Sequence, residues 1–245
     1  MQKVTTAVIA VAGWGSRFLP ASKAVPKELF PIVDKPVIEY IVEDCLRSGI
    51  TEIVFVNSAH KTALEKHFSP NSELNTALEK KGKEELLQAV GRFEGKIDFK
   101  YVYQEEALGT AHAILQAKDY IQDKPFVILY GDDFIIGKKP MVRQLLDVYE
   151  EKQKSVIGLV EFPESELHKY GIAALDDQNR FQHFVEKPAP GTAPSKYGWI
   201  GVSVATPALV PLLETLELSP RGEYEITDAW TQLAAQEDVY TQPFE

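Results

Sequence analysis

Four short apolar runs, Val4 to Val11, Glu52 to Asn57, Ile97 to Tyr103 and Pro125 to Tyr130, recur through the first 150 residues with helical-period stretches between them. Runs of this length, rich in Val, Ile, Phe and Tyr, read as buried strands. The stretch Pro36 to Arg47 carries Val37, Ile38, Ile41, Val42, Cys45 and Leu46 at helical spacing and is closed by Gly49. Strand and helix in alternation predict parallel strands joined by crossover helices. The expected fold class is therefore α/β, a doubly wound, mainly parallel mixed sheet.

Beyond residue 150 the pattern changes to shorter strands, with turn signals at Asp176-Asp177-Gln178-Asn179 and a Pro/Gly-rich piece, EKPAPGTAPSKYG. This half is predicted to add a small sheet layer that walls a cleft. Ser72 to Val90 is charged and helical in pattern, an insertion whose charges face solvent.

Composition removes several classes of function. No window holds the ~18 consecutive apolar residues a membrane span needs, and no basic, apolar and small-residue leader opens the chain. A cytoplasmic location is the expectation. The lone cysteine, Cys45, excludes an internal disulfide and a cysteine-based zinc site, and its helical spacing places it in the core. A formal net charge of −10 argues against nucleic acid or acidic membrane as a partner. An anionic small substrate needs local cations or a metal ion.

The first strand empties into Gly13-Trp14-Gly15-Ser16-Arg17. A dinucleotide fingerprint needs a third glycine where Phe18 stands, and no G-x-x-x-x-G-K-[ST] loop occurs. What remains is a loop whose glycines let the backbone approach a ligand, with the Ser16 hydroxyl and the Arg17 fork suited to phosphate oxygens. Lys27 follows, stiffened by Pro20, Pro26 and Pro31. By itself such a loop is equally a tight turn with solvated basic residues.

The uninterrupted stretch AGWGSRFLPASKAVPKELFPIVDKPVIEYIVEDCLRSGITEIVFV resembles the sugar-1-phosphate nucleotidylyltransferases, and among them the bacterial UTP:glucose-1-phosphate uridylyltransferases. The resemblance runs from near Thr5 to the last residue, with Ser16 in place of a usual threonine. The charged insertion is similar to that of the uridylyl enzymes, which favours UTP over dTTP. The resemblance implies a Rossmann-like nucleotidyltransferase fold in one domain, residues 1–245. Residues 1–150 would be its nucleotide-binding half and 151–245 its sugar-binding half.

Residue by residue, the resemblance implies that Ala12, Gly13, Gly15 and Ser16 line the nucleotide. Arg17 and Lys27 would be catalytic cations. Gln104 would read the pyrimidine edge, and the Gly109 backbone would pack on the base. Asp132 would be catalytic and bind Mg²⁺, with Asp133 near it. Gly171 and Glu186 would take sugar hydroxyls, and Lys187 the sugar phosphate. Read without the family, Gln104 is an exposed amide beside a helix N-terminus, and Gly-Asp-Asp after a strand is a turn or a cap. Glu186-Lys187 is then a surface pair. Thr227 and Asp228 read as a helix N-cap and a first-turn acid, and Trp199 and Trp230 as core.

The implied reaction joins UTP and glucose 1-phosphate, with Mg²⁺ as cofactor. In the family a further Asp-x-Gly segment brings a second metal carboxylate, followed by helices used in homo-oligomer contacts; these 245 residues do not include that segment. Rival expectations are a thymidylyl enzyme, a noncatalytic nucleotide-sugar-binding form and a nucleotide-sugar-dependent glycosyltransferase.

Overall fold

A computed structural model describes residues 2–244. Its strands are β1 (Thr6–Ala10), β2 (Pro31–Ile32), β3 (Lys35–Pro36), β4 (Glu52–Asn57), β5 (Asp98–Tyr103), β6 (Phe126–Tyr130), β7 (Val156–Glu161), β8 (Gly171–Leu175), β9 (Phe181–Glu186), β10 (Tyr197–Ala205) and β11 (Tyr240–Pro243). The helices are α1 (Val37–Arg47), α2 (Thr62–Phe68), α3 (Ser72–Lys80), α4 (Glu84–Val90), α5 (Thr110–Leu115), α6 (Lys118–Ile121), α7 (Met141–Lys152), α8 (Leu209–Glu214) and α9 (Ile226–Ala234). Nine strands form one sheet in the order β11-β7-β10-β6-β1-β4-β5, with β8 joined to β10 and β9 to β8.

The alternating half folds as its pattern requires. β1 pairs in parallel with β4 and β6, and β4 with β5. Successive β1 side chains enter opposite layers, since strand residues alternate faces. Ala7 and Ile9 pack with Ile38, Ile41 and Cys45 of α1 and Leu145 of α7. Val8 joins Ile114 of α5 and Trp230 of α9 on the other face. Both faces are covered, which explains the continuous apolar runs. Asp44 of α1 accepts the Met141 and Val142 amides at 2.6 and 2.8 Å, locking the start of α7 onto α1. The insertion forms α3 and α4 with no buried residue in either, a solvated pair as its charge pattern predicted.

The second half departs from parallel order. β10 runs antiparallel to both β6 and β7, so β6 and β7 point the same way. At nine residues β10 is not short, unlike the strands expected here. Its last residues, Ser203 to Ala205, pair with Ile128 to Phe126. Its first residues therefore overhang the carboxyl end of β6, beyond an irregularity between Trp199 and Ser203. The overhang carries the small ribbon: Gly198 pairs with Ile172 of β8, and β8 pairs with β9. This addition thus projects over the edge at which β1, β4, β5 and β6 all end. Ligands of open α/β sheets bind at that edge.

Candidate active site

At the end of β1 the chain turns through Gly15 at φ 64°, a left-handed conformation glycine adopts without strain. A Cβ on Gly15 would also lie 3.4 Å from the Lys27 side chain, so the missing side chain leaves a track for the lysine stem. Ser22 Oγ donates to the Gly15 carbonyl at 2.7 Å and closes the loop on itself. Lys27, starting a short helical turn after Pro26, reaches across to Asp132, with Nζ to Oδ2 at 2.5 Å. These residues lie 105 positions apart. The β1–β6 ladder brings them together, since Gly131 continues it by donating to the Ala10 carbonyl at 3.1 Å. Ala12 is half-buried, whereas Gly13, Ser16 and Arg17 are exposed along the same rim.

Asp133 is pushed up to about 6 by burial and by the neighbouring Asp132 carboxylate, against the pull of Lys27 and Arg17. Two carboxylates thus stand side by side at this edge, where a cation would relieve their mutual repulsion. Asp132 presents a one-third-exposed carboxylate (33%) there. Among the described residues no three His, Cys, Asp or Glu side chains gather to hold a metal ion. A hard divalent ion that keeps waters and phosphate oxygens needs only one or two carboxylates, so the donor set fits Mg²⁺ bound jointly with a phosphate ligand.

Gln104 extends the β4–β5 ladder, its amide donating to the Asn57 carbonyl at 2.8 Å. Its side chain is buried at 8% exposure and not exposed, as the spacing alone suggested. Nε2 donates to the Gly109 carbonyl at 3.1 Å and lies 3.0 Å from His112 Nδ1. In the His112 tautomer with Nδ1 unprotonated, both amide hydrogens turn inward, which leaves the side-chain carbonyl to accept from a ligand. Gly109, at φ 103°, passes so close to Tyr224 that a Cβ would lie 2.6 Å from its carbonyl oxygen. Hydrogen bonds from Ala111 N to Tyr224 O (3.0 Å) and Tyr224 N to Leu108 O (2.8 Å) hold that crossing.

On the overhanging ribbon, Gly171 stands opposite Glu186 in register, and Glu186 Oε2 lies 3.0 Å from where a Gly171 Cβ would be. Lys187 takes φ 45°, an uncommon conformation for a side-chain-bearing residue, and donates its amide to the Tyr170 carbonyl at 3.0 Å. Its Nζ lies 3.9 Å from Glu186 Oε1.

Arg221, which the sequence reading passed over, lies 3.7 Å from the same Glu186 oxygen and 2.8 Å from Glu225. It stands in the segment RGEYEITDAW, residues 221–230, where a basic residue beside a glycine is the available signal. That segment links the two halves, because Tyr224 meets Gly109 while Arg221 meets Glu186. The expectation for Thr227 needs correction. Glu225 occupies the N-cap of α9, and the Ile226 amide donates to Thr110 Oγ1 at 3.3 Å; only the first-turn acid Asp228 stands as expected. A partner on α5 thus replaces the local cap. Trp230 and Cys45 are fully buried, and Trp199 packs half-buried between Tyr130 and Phe184.

The family model for nucleotidyl transferases matches residues 6–245. The chain belongs to the nucleotidyl transferase family. Among its relatives, the UTP–glucose-1-phosphate uridylyltransferase of Staphylococcus epidermidis is 44% identical over 249 residues, covering 100% of this chain and 86% of the relative. That of Bacillus subtilis is 43% identical, covering 100% and 85%. A UTP-bound UGPase from Acinetobacter baumannii superposes with a TM-score of 0.92 at 32% identity, covering 99% of this chain and 87% of that one. A UDP-glucose pyrophosphorylase complexed with UDP-glucose gives 0.86 at 31% identity, covering 98% and 90%. No helix among the described residues of this nucleotidyl transferase is long and apolar enough to cross a membrane.

Proposed function

We propose that this nucleotidyl transferase moves the uridylyl group of UTP to glucose 1-phosphate, giving UDP-glucose and pyrophosphate. The observation that carries the reading is the convergence, at one sheet edge, of the glycine loop with its Lys27–Asp132 contact and the Gly171–Glu186–Lys187 ribbon. Full-length similarity to uridylyltransferases supports the choice of substrates.

In the proposed reaction a phosphate oxygen of glucose 1-phosphate attacks the α-phosphorus of UTP in line. The bond from that phosphorus to the bridging β-oxygen breaks, and pyrophosphate leaves with the electron pair. The nucleophile is already an anion, so no general base is required. Bringing two anions together and offsetting charge on the transferring group are the main tasks. Loop amides at Ala12, Gly13 and Gly15, the Ser16 hydroxyl and the Arg17 guanidinium hold the outer phosphates. Lys27 stabilises charge at the transferring phosphoryl group. Gln104 accepts from the N3–H of uracil, which cytosine lacks, and Gly109 leaves room for the flat ring. Glu186 and the Gly171 backbone hold sugar hydroxyls, while Lys187, joined by Arg221, orients the sugar phosphate. Asp132, with Asp133 beside it, would hold Mg²⁺, whose chemistry is to neutralise and shape the triphosphate.

The test is pyrophosphate release with Mg²⁺ and glucose 1-phosphate, comparing UTP with dTTP and identifying the product by mass spectrometry. UDP-glucose formed in preference to the thymidylyl product is expected. Saturable UTP binding by folded protein without turnover would overturn the reading in favour of a noncatalytic binding form.

A further inference from the structure

A charged pair lies buried beneath the glycine loop, and the reaction above gives it no task. Glu28 is 1% exposed and Lys61 6%. Lys61 Nζ sits 3.2 Å from both Glu28 carboxylate oxygens and donates to the Val11 carbonyl at 2.6 Å. Each partner belongs to a different segment of the site. Val11 lies two residues before Gly13 of the glycine loop, Glu28 is next to Lys27, and Lys61 follows the end of β4. Lys61 is itself fixed: its amide donates to the Ser58 carbonyl at 2.9 Å, and its carbonyl accepts from Asn57 Nδ2 at 3.1 Å. Gly131, the residue before Asp132, closes the fourth side; a Cβ there would overlap the Val11 side chain and lie 3.0 Å from Glu28 Cγ.

Stability alone is a poor reason for this arrangement. Burial pushes the Glu28 acid up and the Lys61 amine down, so each charge is held against its own desolvation. Well-packed apolar residues of similar volume generally stabilise at least as well as a buried ion pair. An ion pair with a third, carbonyl acceptor does supply direction, because the ammonium fixes two separate backbone segments at hydrogen-bond distance.

We propose that Glu28 and Lys61 are a positioning pair. They dock the 27–29 turn onto the end of β1 and thereby set the reach of Lys27 to Asp132 and the transferring phosphoryl group. The inference rests on the reading of Lys27 as a phosphoryl-stabilising residue.

The test uses the full chain and compares Lys27→Ala, the double variant Glu28→Gln/Lys61→Met, and the triple combination. Steady-state kinetics in UTP and glucose 1-phosphate are read beside thermal melting. The double variant removes both charges, so it is expected to fold. Its kcat should fall at least about tenfold while KM for glucose 1-phosphate stays within about threefold, the signature of a lost transition-state contact. Adding Lys27→Ala to it should cost much less than in the parent, because Lys27 is already misplaced. A merely structural role does not produce that coupling. Glu28→Asp, which keeps the charge but shortens the reach, is the second variant should the double one not fold, and the same split and coupling are expected of it. A folded variant with kcat within about twofold of the parent, or with an undiminished Lys27→Ala cost, overturns the inference. If Lys27→Ala leaves the parent kcat unchanged, the Lys27 reading itself fails and this inference falls with it.

Discussion

Replacing Gly171 by alanine should separate sugar recognition from folding, because the added methyl meets the carboxylate proposed to take sugar hydroxyls and little else. The built Cβ lies 3.0 Å from Glu186 Oε2, and beyond its own chain neighbours no other heavy atom comes within 4 Å of it. The carboxylate must give by a few tenths of an ångström, which is easy for a side chain 46% exposed. Alanine within a strand also trims the freedom of the unfolded chain by about 0.4–1 kcal/mol. The two terms offset, so unfolding free energy in urea should change by less than about 1 kcal/mol. Sugar binding is different. A hydrogen bond to a charged acceptor contributes about 1.5–3 kcal/mol, a factor of roughly 10–150, and a displaced Glu186 forfeits part of it. Initial rates of pyrophosphate release should give a KM for glucose 1-phosphate raised about tenfold and a KM for UTP within about twofold. The same substitution in a Glu186→Ala background should add almost nothing. Equal increases in both KM values, or full additivity with Glu186→Ala, would refute the assignment of Gly171 and Glu186 to the sugar.

Gly109→Ala should behave oppositely: its Cβ would press on the Tyr224 backbone at 2.6 Å and its φ is 103°, so a loss of about 3 kcal/mol in urea unfolding is expected. Trp14 is the exposed tryptophan of the loop, at 67%, with its ring stacked on His60 at 4.2 Å. UTP should change the protein's tryptophan emission, and Trp14→Phe should abolish that change. Burial raises the Cys45 thiol well above its ordinary range, so the thiolate is the form the fold disfavours. A thiol-reactive disulfide reagent at pH 8 should label the native protein negligibly and the denatured protein fully. A raised folded-state value means that this group's contribution is intact below the unfolded thiol range, about 8.5, and is lost as pH rises beyond it. Melting temperature should accordingly fall less steeply above pH 9 for Cys45→Ala than for the parent.

What was legible in the sequence was local. β4 falls at the predicted residues, while β1, β5 and β6 are trimmed at one or both ends. The apolar run at Val4 to Val11 outlasts β1 because Val11 still donates to Val56, at 2.9 Å, after the strand has ended. The length of β10 is a tertiary matter. Its tail pairs with β6 while its head serves the ribbon, and no periodicity encodes two partners. Spacing alone makes Gln104 an exposed amide, whereas it is buried because its inward contacts go to Gly109 and His112, beside the Tyr224 crossing more than a hundred residues away. Arg221 was passed over for the same reason: its neighbour Glu186 is distant in the chain. Lys27 and Asp132 entered as separate residues of a resemblance, and only the ladder between β1 and β6 makes them a pair.

Net charge illustrates the limit of composition as an argument about substrates. A chain carrying −10 repels an approaching anion at long range, but screening confines that repulsion to about 8–10 Å at physiological ionic strength. Inside that distance placement decides. Lys27 faces Asp132 at 2.5 Å, Arg221 faces Glu225 at 2.8 Å and Lys187 faces Glu186 at 3.9 Å, so these three cations already stand against carboxylates. An arriving phosphate competes with a carboxylate already in place. Binding therefore depends on whether the phosphate meets the cation at better geometry than its partner does. Lys27 is already at short range, and in the proposed reaction its release from Asp132 is part of the cost of engaging the triphosphate. Lys187 and Arg221 sit farther from Glu186, at 3.9 and 3.7 Å, but Glu225 also holds Arg221 at 2.8 Å; in the proposed reading the sugar phosphate draws Lys187 away and leaves Glu186 to accept hydroxyls. In the proposed reading the two ends of the site thus use the same residue chemistry at different spacings: Lys27 lies tight on Asp132, where phosphoryl charge is stabilised, and Lys187 lies loose on Glu186, the carboxylate that also takes sugar hydroxyls.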